Sequence, residues 1–169
     1  MFDVERSALH FSDLSGLHSH GRPLHSALRA LINSATSELS LHSCELGRSV
    51  EFIFQDELTA ALLRGVRVQI IGSHEREVRG LIASYADVGQ GIEGWRWVPR
   101  GERSLYHIKA IVADGDGLYI GSANLTPNAM TNSAEWGAVL SSPEMVEALH
   151  QHTLDLKEAG FLTEVTANV

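Results

Sequence analysis

Cysteine is nearly missing from this 169-residue chain, where Cys44 stands alone. One thiol forms no internal disulfide, so a stapled framework is excluded and a reducing cytoplasm is the expected compartment. Long apolar runs are missing too: no stretch approaches the roughly 18 residues that span a bilayer. The first residues lack a basic stretch followed by an apolar run, so no secretory signal is read there. Positive charge is scarce, with 13 Lys and Arg against 21 Asp and Glu and a formal net of −8. So acidic a chain does not coat nucleic acid or anionic membrane nonspecifically; either partner has to be gripped by a local basic patch.

What is present describes an ordinary globular chain. Apolar residues make up 44% and charged residues 20%, which excludes a disordered or fibrous protein. The length suits one domain over residues 1–169, with 1–23 read as an N-terminal strand or arm. Histidine is in surplus at nine, five of them before residue 43 (His10, His18, His20, His25 and His42). Carboxylates and cysteines at ligand spacing do not accompany them, so they read as solvated or turn histidines and no metal is expected.

Periodicity sets out the elements. Leu24, Leu28, Leu31, Ile32 and Ala35 recur at helical spacing, predicting a helix over 24–35. Alternation predicts a strand over 38–44, with Leu39 and Leu41 on one face. A helix follows from Ser49 to Arg64, then a buried strand over 66–71, a helix over 75–86 and a strand over 92–98. Further strands are expected at 105–113, 118–122 and 135–140. The last helix is expected over 143–159, capped by Ser142 with Pro143 in its first turn. Helices alternating with strands predict an α/β fold, and the hairpin near residue 115 predicts a mixed β-sheet flanked by helices.

The stretch from Leu105 to Leu140 carries the chemistry. Side chains alternate along a strand, so His107 and Lys109 share one face, as do Ser122 and Asn124. The turn between them is Asp114-Gly115-Asp116-Gly117. An even-length hairpin loop would set His107 opposite Asn124 and Lys109 opposite Ser122, with Cβ atoms about 5 Å apart. An odd loop would put the two pairs on opposite faces. An imidazole, an ammonium, a hydroxyl and an amide in one patch suit a phosphodiester, with donors on the nonbridging oxygens and the imidazole doing the chemistry. Polar residues in so apolar a run cost stability unless they have partners or a purpose. Glu135, on the next strand, is a candidate partner for His107. Singly, each residue has a bland explanation: a half-core histidine, a snorkelling lysine, a turn serine. Their coincidence is what argues for a site.

These residues resemble the HKD motif of the phospholipase D superfamily: His107-x-Lys109-x4-Asp114, then Gly121-Ser122-x-Asn124. Glu135 sits at the offset where that family places a glutamate behind its histidine. One departure is the Asn often found two residues before that glutamate; Ser133 stands there, beside Asn132. The resemblance implies the phospholipase D-like fold and a role for each residue. His107 would form a phosphohistidine, with Lys109, Ser122 and Asn124 clamping the phosphate. Asp114 would be structural, and Glu135 would orient His107. It also implies catalysis by two histidines, and this chain holds one such motif. A homodimer is therefore expected, with two copies of His107 at a shared site. Histidine has an ordinary pKa near 6.5, so one copy can attack while the other protonates the leaving oxygen, giving a bell-shaped pH profile. No cofactor and no metal are expected.

Arg96, Arg100 and Arg103 precede the motif and make a basic lane with Lys109, interleaved by Trp95, Trp97 and Tyr106. Cations and aromatics together suit a nucleic-acid strand; the alternative is packing tryptophans and solvated arginines. The expected function is a cytoplasmic, metal-independent nuclease. Some relatives sit in phage-defence systems, so a defence-complex partner joins the expectations. A phospholipid-cleaving or phosphatidyl-transferring enzyme is the second reading, and a noncatalytic nucleic-acid-binding or dimerisation module the third.

Overall fold

The computed structural model describes residues 8–12, 23–46, 49–89, 91–102 and 104–167. His18, His20, Arg103 and most of the expected N-terminal arm lie outside the described residues, as does the side chain of Ser49. The elements run in the order β1 (Ala8–Phe11), α1 (Leu24–Ser34), β2 (Glu38–Ser43), α2 (Ser49–Leu63), β3 (Arg67–Gly72), α3 (Glu75–Ser84), β4 (Ile92–Trp97), β5 (Ala110–Ala113), β6 (Gly117–Gly121), α4 (Pro127–Thr131), β7 (Trp136–Ser141), α5 (Pro143–Glu158) and β8 (Leu162–Val165). The strands form one mixed sheet in the order β1-β7-β6-β5-β2-β3-β4-β8. Strands β2, β3 and β4 are parallel, and every other pairing is antiparallel. Helix α4 and strand β8 escape the periodicity reading because each is too short to show a period.

Apolar spacing decides which face each element buries. Leu24, Ala27, Leu28, Leu31 and Ile32 of α1 are buried, a stripe at three- and four-residue spacing. They join Leu39 and Leu41 of β2, Val68 and Ile70 of β3, Ile111 of β5, Tyr119 of β6 and Val139 of β7 in the main core, which α2 and α3 also cover. The other face carries two smaller clusters. One gathers Ala110, Leu118 and Val146; the other gathers Ile71, Tyr106 and Leu162 with Trp95, Trp97, Ile108 and Leu156. Helix α5 lies over this face. Ser142 caps it by accepting from the Met145 N–H, and Pro143 opens it. A cavity of about 620 Å³ separates α5 from the sheet, and of the motif residues only Asp114 touches it.

The hairpin register differs from the even-loop expectation. Ala113 pairs with Gly117 and Ala110 with Ile120, so the loop has three residues, 114–116. Strand β5 also begins at Ala110, so 105–109 lie beyond the ladder. The cause is Asp114, which leaves the strand at φ 55°. Its N–H donates to the Glu38 carbonyl, 2.9 Å away. Its carboxylate accepts from the N–H groups of Thr36, Ser37 and Glu38 and from both hydroxyls of Thr36 and Ser37, at 2.8–3.2 Å. This clamp onto the entry of β2 uses the residue that a two-residue loop would have left in the strand.

Candidate active site

His107 and Lys109 therefore do not face Ser122 and Asn124 across a ladder. They are assembled by strand ends instead. The carboxyl end of β2 lies beside the start of β5, since His42 pairs with Ala110. That start lies beside the end of β6, and the Gly121 N–H reaches the Lys109 carbonyl at 3.4 Å. The end of β6 in turn lies beside the start of β7, where Gly121 pairs with Gly137. One edge of the sheet thus carries His107 and Lys109 off β5, Ser122 and Asn124 off β6, and Glu135 off β7. His107 and Ser122 are exposed, while Lys109, Asn124 and Glu135 are half-buried.

Within this row the hydrogen bonds form two pairs. The Lys109 ammonium lies 3.2 Å from His107 Nε2. The Ser122 hydroxyl donates to Glu135 Oε2, and it accepts from the Trp136 N–H at 3.2 Å. Among the described residues no hydrogen bond joins one pair to the other. Glu135 therefore holds Ser122 and not His107, against expectation. Strand order favours this pair, because the end of β6, which carries Ser122, lies beside the start of β7, which follows Glu135. Asn124 Oδ1 is buried without a hydrogen-bond partner. Such an atom is costly, and a folded chain retains few of them.

The backbone under these side chains is pinned by serines that sequence reasoning missed. The buried Ser43 hydroxyl, at the end of β2, accepts from the Leu125 N–H; with the Thr126 N–H on the Asn124 carbonyl, it fixes the loop after β6. Ser12 accepts from the Glu135 N–H at 3.0 Å and donates to the Ser133 carbonyl. Ser73, after β3, holds Tyr106. The signal was there: Ser43 ends β2 and Ser73 directly follows β3, so each sits at the carboxyl end of a parallel strand, the end where open α/β sheets bind ligands. The glycine before Ser122 has a physical cause as well. A Cβ on Gly121 or on Gly137 would overlap the Tyr119 side chain, whose ring runs beneath both toward this edge. Burial comes first in raising the Tyr119 phenol above its usual value, and the Glu135 charge adds to it.

Asp114 sits at the opposite end of the hairpin, in its turn. Partial burial pushes its carboxyl up. The hydrogen bonds from Glu38, Ser37 and Thr36 outweigh that and hold it well below the usual carboxylate range. Arg96 and Arg100 of the expected basic lane have partners within the chain while keeping solvent exposure. Arg96 pairs with Glu75 at 3.0 Å. Arg100 covers the Phe161 ring at 4.8 Å. Trp97 stacks on Phe161 and donates to Ser104, Trp95 carries Lys157 over its ring, and Tyr106 is buried. These aromatics dock α5 and β8 onto β4. Among the described residues no group of three or more His, Cys, Asp or Glu side chains is placed to hold a metal, and no helix is long and apolar enough to cross a membrane.

The fold and the motif at its edge define a phospholipase D-like domain. A family model described as "Cardiolipin synthase, PLD-like domain" matches residues 28–156, and the chain belongs to the phospholipase D superfamily. No curated protein matches the chain in sequence. Among solved structures, the phospholipase D family member Nuc from Salmonella typhimurium is 23% identical, with a TM-score of 0.66 over 94% of this chain and 97% of that one. NucT from Helicobacter pylori is 17% identical, with a TM-score of 0.68 over 90% of this chain and 96% of that one. The phosphatidylserine synthase of Haemophilus influenzae Rd KW20 is 17% identical, with a TM-score of 0.70, and 94% of this chain covers 39% of it.

Proposed function

We propose that this chain is a metal-independent phosphodiesterase that cleaves nucleic acid at a site completed by a second copy of itself. The observation that carries the reading is the single sheet edge presenting His107 and Lys109 beside Ser122 and Asn124. Lys109 supplies full charge to a nonbridging phosphate oxygen. Ser122, oriented by Glu135, and Asn124 supply directed contacts. The His107 imidazole attacks phosphorus, forming a phosphorus–nitrogen bond as the bond to the leaving oxygen breaks. His107 of the second copy gives that oxygen its proton, then takes one from the water that hydrolyses the phosphohistidine.

Two observations support the pairing of copies. The chain has one His-x-Lys motif, and apolar side chains rim it. Leu105 and Trp136 are each 53% exposed, and Phe11, paired with Trp136, is 41% exposed. Nucleic acid is favoured because the domain matches Nuc and NucT over nearly their whole lengths, whereas the phosphatidylserine synthase is more than twice as long. The description of the family model favours a second reading, phosphatidyl transfer between lipids. The deciding experiment offers single-stranded DNA, duplex DNA, RNA and phospholipid vesicles to the purified protein in excess chelator, with His107→Ala as control. Cleavage of a nucleic acid that His107→Ala abolishes is the expected result. Turnover only on lipid would establish the second reading. No turnover on any of them would leave a binding module, and loss in chelator restored by magnesium would overturn metal independence.

A further inference from the structure

His107 lies in a segment that the sheet does not hold. Strand β5 starts at Ala110, the Lys109 carbonyl still reaches the Gly121 N–H of β6, and residues 104–108 have no strand pairing. Something else must set where the imidazole stands. The neighbouring residue is tied from two sides. Tyr106 is 2% exposed, and its hydroxyl meets His42 Nδ1 at 2.6 Å. His42, also 2% exposed, meets the Ser40 hydroxyl through Nε2 at 2.6 Å. The Tyr106 backbone is gripped at both ends of one residue: its N–H donates to Ser73 Oγ at 3.2 Å, and its carbonyl accepts from that hydroxyl at 3.1 Å. Apolar contacts close the cage, with Tyr106 clustered with Ile71, Leu162 and Trp97.

We propose that Tyr106, anchored by His42 and Ser73, is a positioning residue that fixes the His107 imidazole at the sheet edge. The proposal rests on the reading of His107 as the reacting group. Tyr106 is buried and the next residue, His107, is exposed, so an anchored phenol at 106 determines the backbone from which the imidazole projects. His42 suits the task because it is not free to change charge. Burial, with a smaller push from Lys157, lowers its pKa to about 3, so it stays a neutral hydrogen-bonding partner. Misplacing a reacting group by about 1 Å costs on the order of 10²-fold in rate, so loosening the anchor shows in turnover more than in binding.

The test measures kcat and KM on bis(4-nitrophenyl) phosphate, together with amide exchange of 104–109. Tyr106→Phe removes one hydroxyl and is expected to lower kcat about tenfold or more, leave KM within about twofold and speed exchange in that segment. His42→Leu is expected to do the same. His42→Asn, which keeps an amide near the Nδ1 position, is expected to recover part of the loss. If Tyr106→Phe does not fold, the His42→Leu and His42→Asn pair decides the question. A Tyr106→Phe protein with kcat within about twofold of wild type, or equal losses in His42→Leu and His42→Asn, would overturn the proposal. His107→Ala in the same assay separates the two readings. If it stays active, the underlying assignment fails. If it is dead while Tyr106→Phe turns over normally, only the positioning role fails.

Discussion

The two ends of the β5–β6 hairpin treat their polar groups in opposite ways. At the turn, the Asp114 carboxylate takes donors from three consecutive residues and stays anionic, tied to the entry of β2. At the open end, five polar residues stand in a row with only two hydrogen-bonded pairs among them, and one buried amide oxygen has no partner. A group whose lone pairs are all taken can hold a fold together but has nothing left for a substrate. A row left partly unsatisfied stabilises little and is available for chemistry. One short motif therefore divides into a structural half and a reactive half, and substitutions should separate them.

The largest effect is expected at the open end. Lys109→Met should lower turnover about 10²–10³-fold, the range for removing one preorganised charge-stabilising group, with an unchanged thermal midpoint. A midpoint falling by many degrees would place Lys109 in the structural half. At the turn the pattern should reverse. Asp114→Ala loses the charged acceptor and also puts an alanine at positive φ, so unfolding in urea should show a loss of roughly 2–3 kcal/mol. Asp114→Asn tolerates that backbone and should lose less, and turnover per folded molecule should persist in both.

Acid should sharpen the contrast, because the two ends rest on different groups. His42 has a lowered folded pKa, about 3 against an ordinary 6.5. Its contribution is complete above pH 6.5 and drains away as pH falls toward 3, because the unfolded chain binds the proton first. Asp114 is also lowered, so its contribution is complete above the ordinary carboxylate value, about 3.9, and is lost only in stronger acid. Urea unfolding between pH 7 and 4 should therefore show a decline that His42→Asn reduces and Asp114→Asn does not. The smallest effect is expected from Arg96→Ala. Its partly exposed pair with Glu75 should contribute under about 1 kcal/mol, and turnover should change little if the lane is structural. A large rise in KM for DNA would restore the lane as a substrate contact.

Sequence reading reached the helices and most strands because their apolar spacing is local. The residue types and spacing of the motif were legible for the same reason. The hairpin register was not, because it depends on Asp114 reaching back to Thr36, Ser37 and Glu38, a contact between segments some 77 residues apart. The Glu135–Ser122 pair is not legible either, because strand order is invisible in a spacing and only the sheet sets β6 beside β7. The packing of Trp95, Trp97 and the arginines is hidden for a similar reason. Their partners Phe161, Lys157 and Glu75 come from elements that pack on β4 only after folding.

Ser12 and Glu135 are hydrogen-bonded across 123 residues of chain. During synthesis the serine emerges early and its counterpart arrives only when β7 is made. A nascent chain carries His107 and Lys109 for some time before the strand that supports Ser122 exists. The reactive row therefore waits on the making of β7, whichever of its other members are already in place.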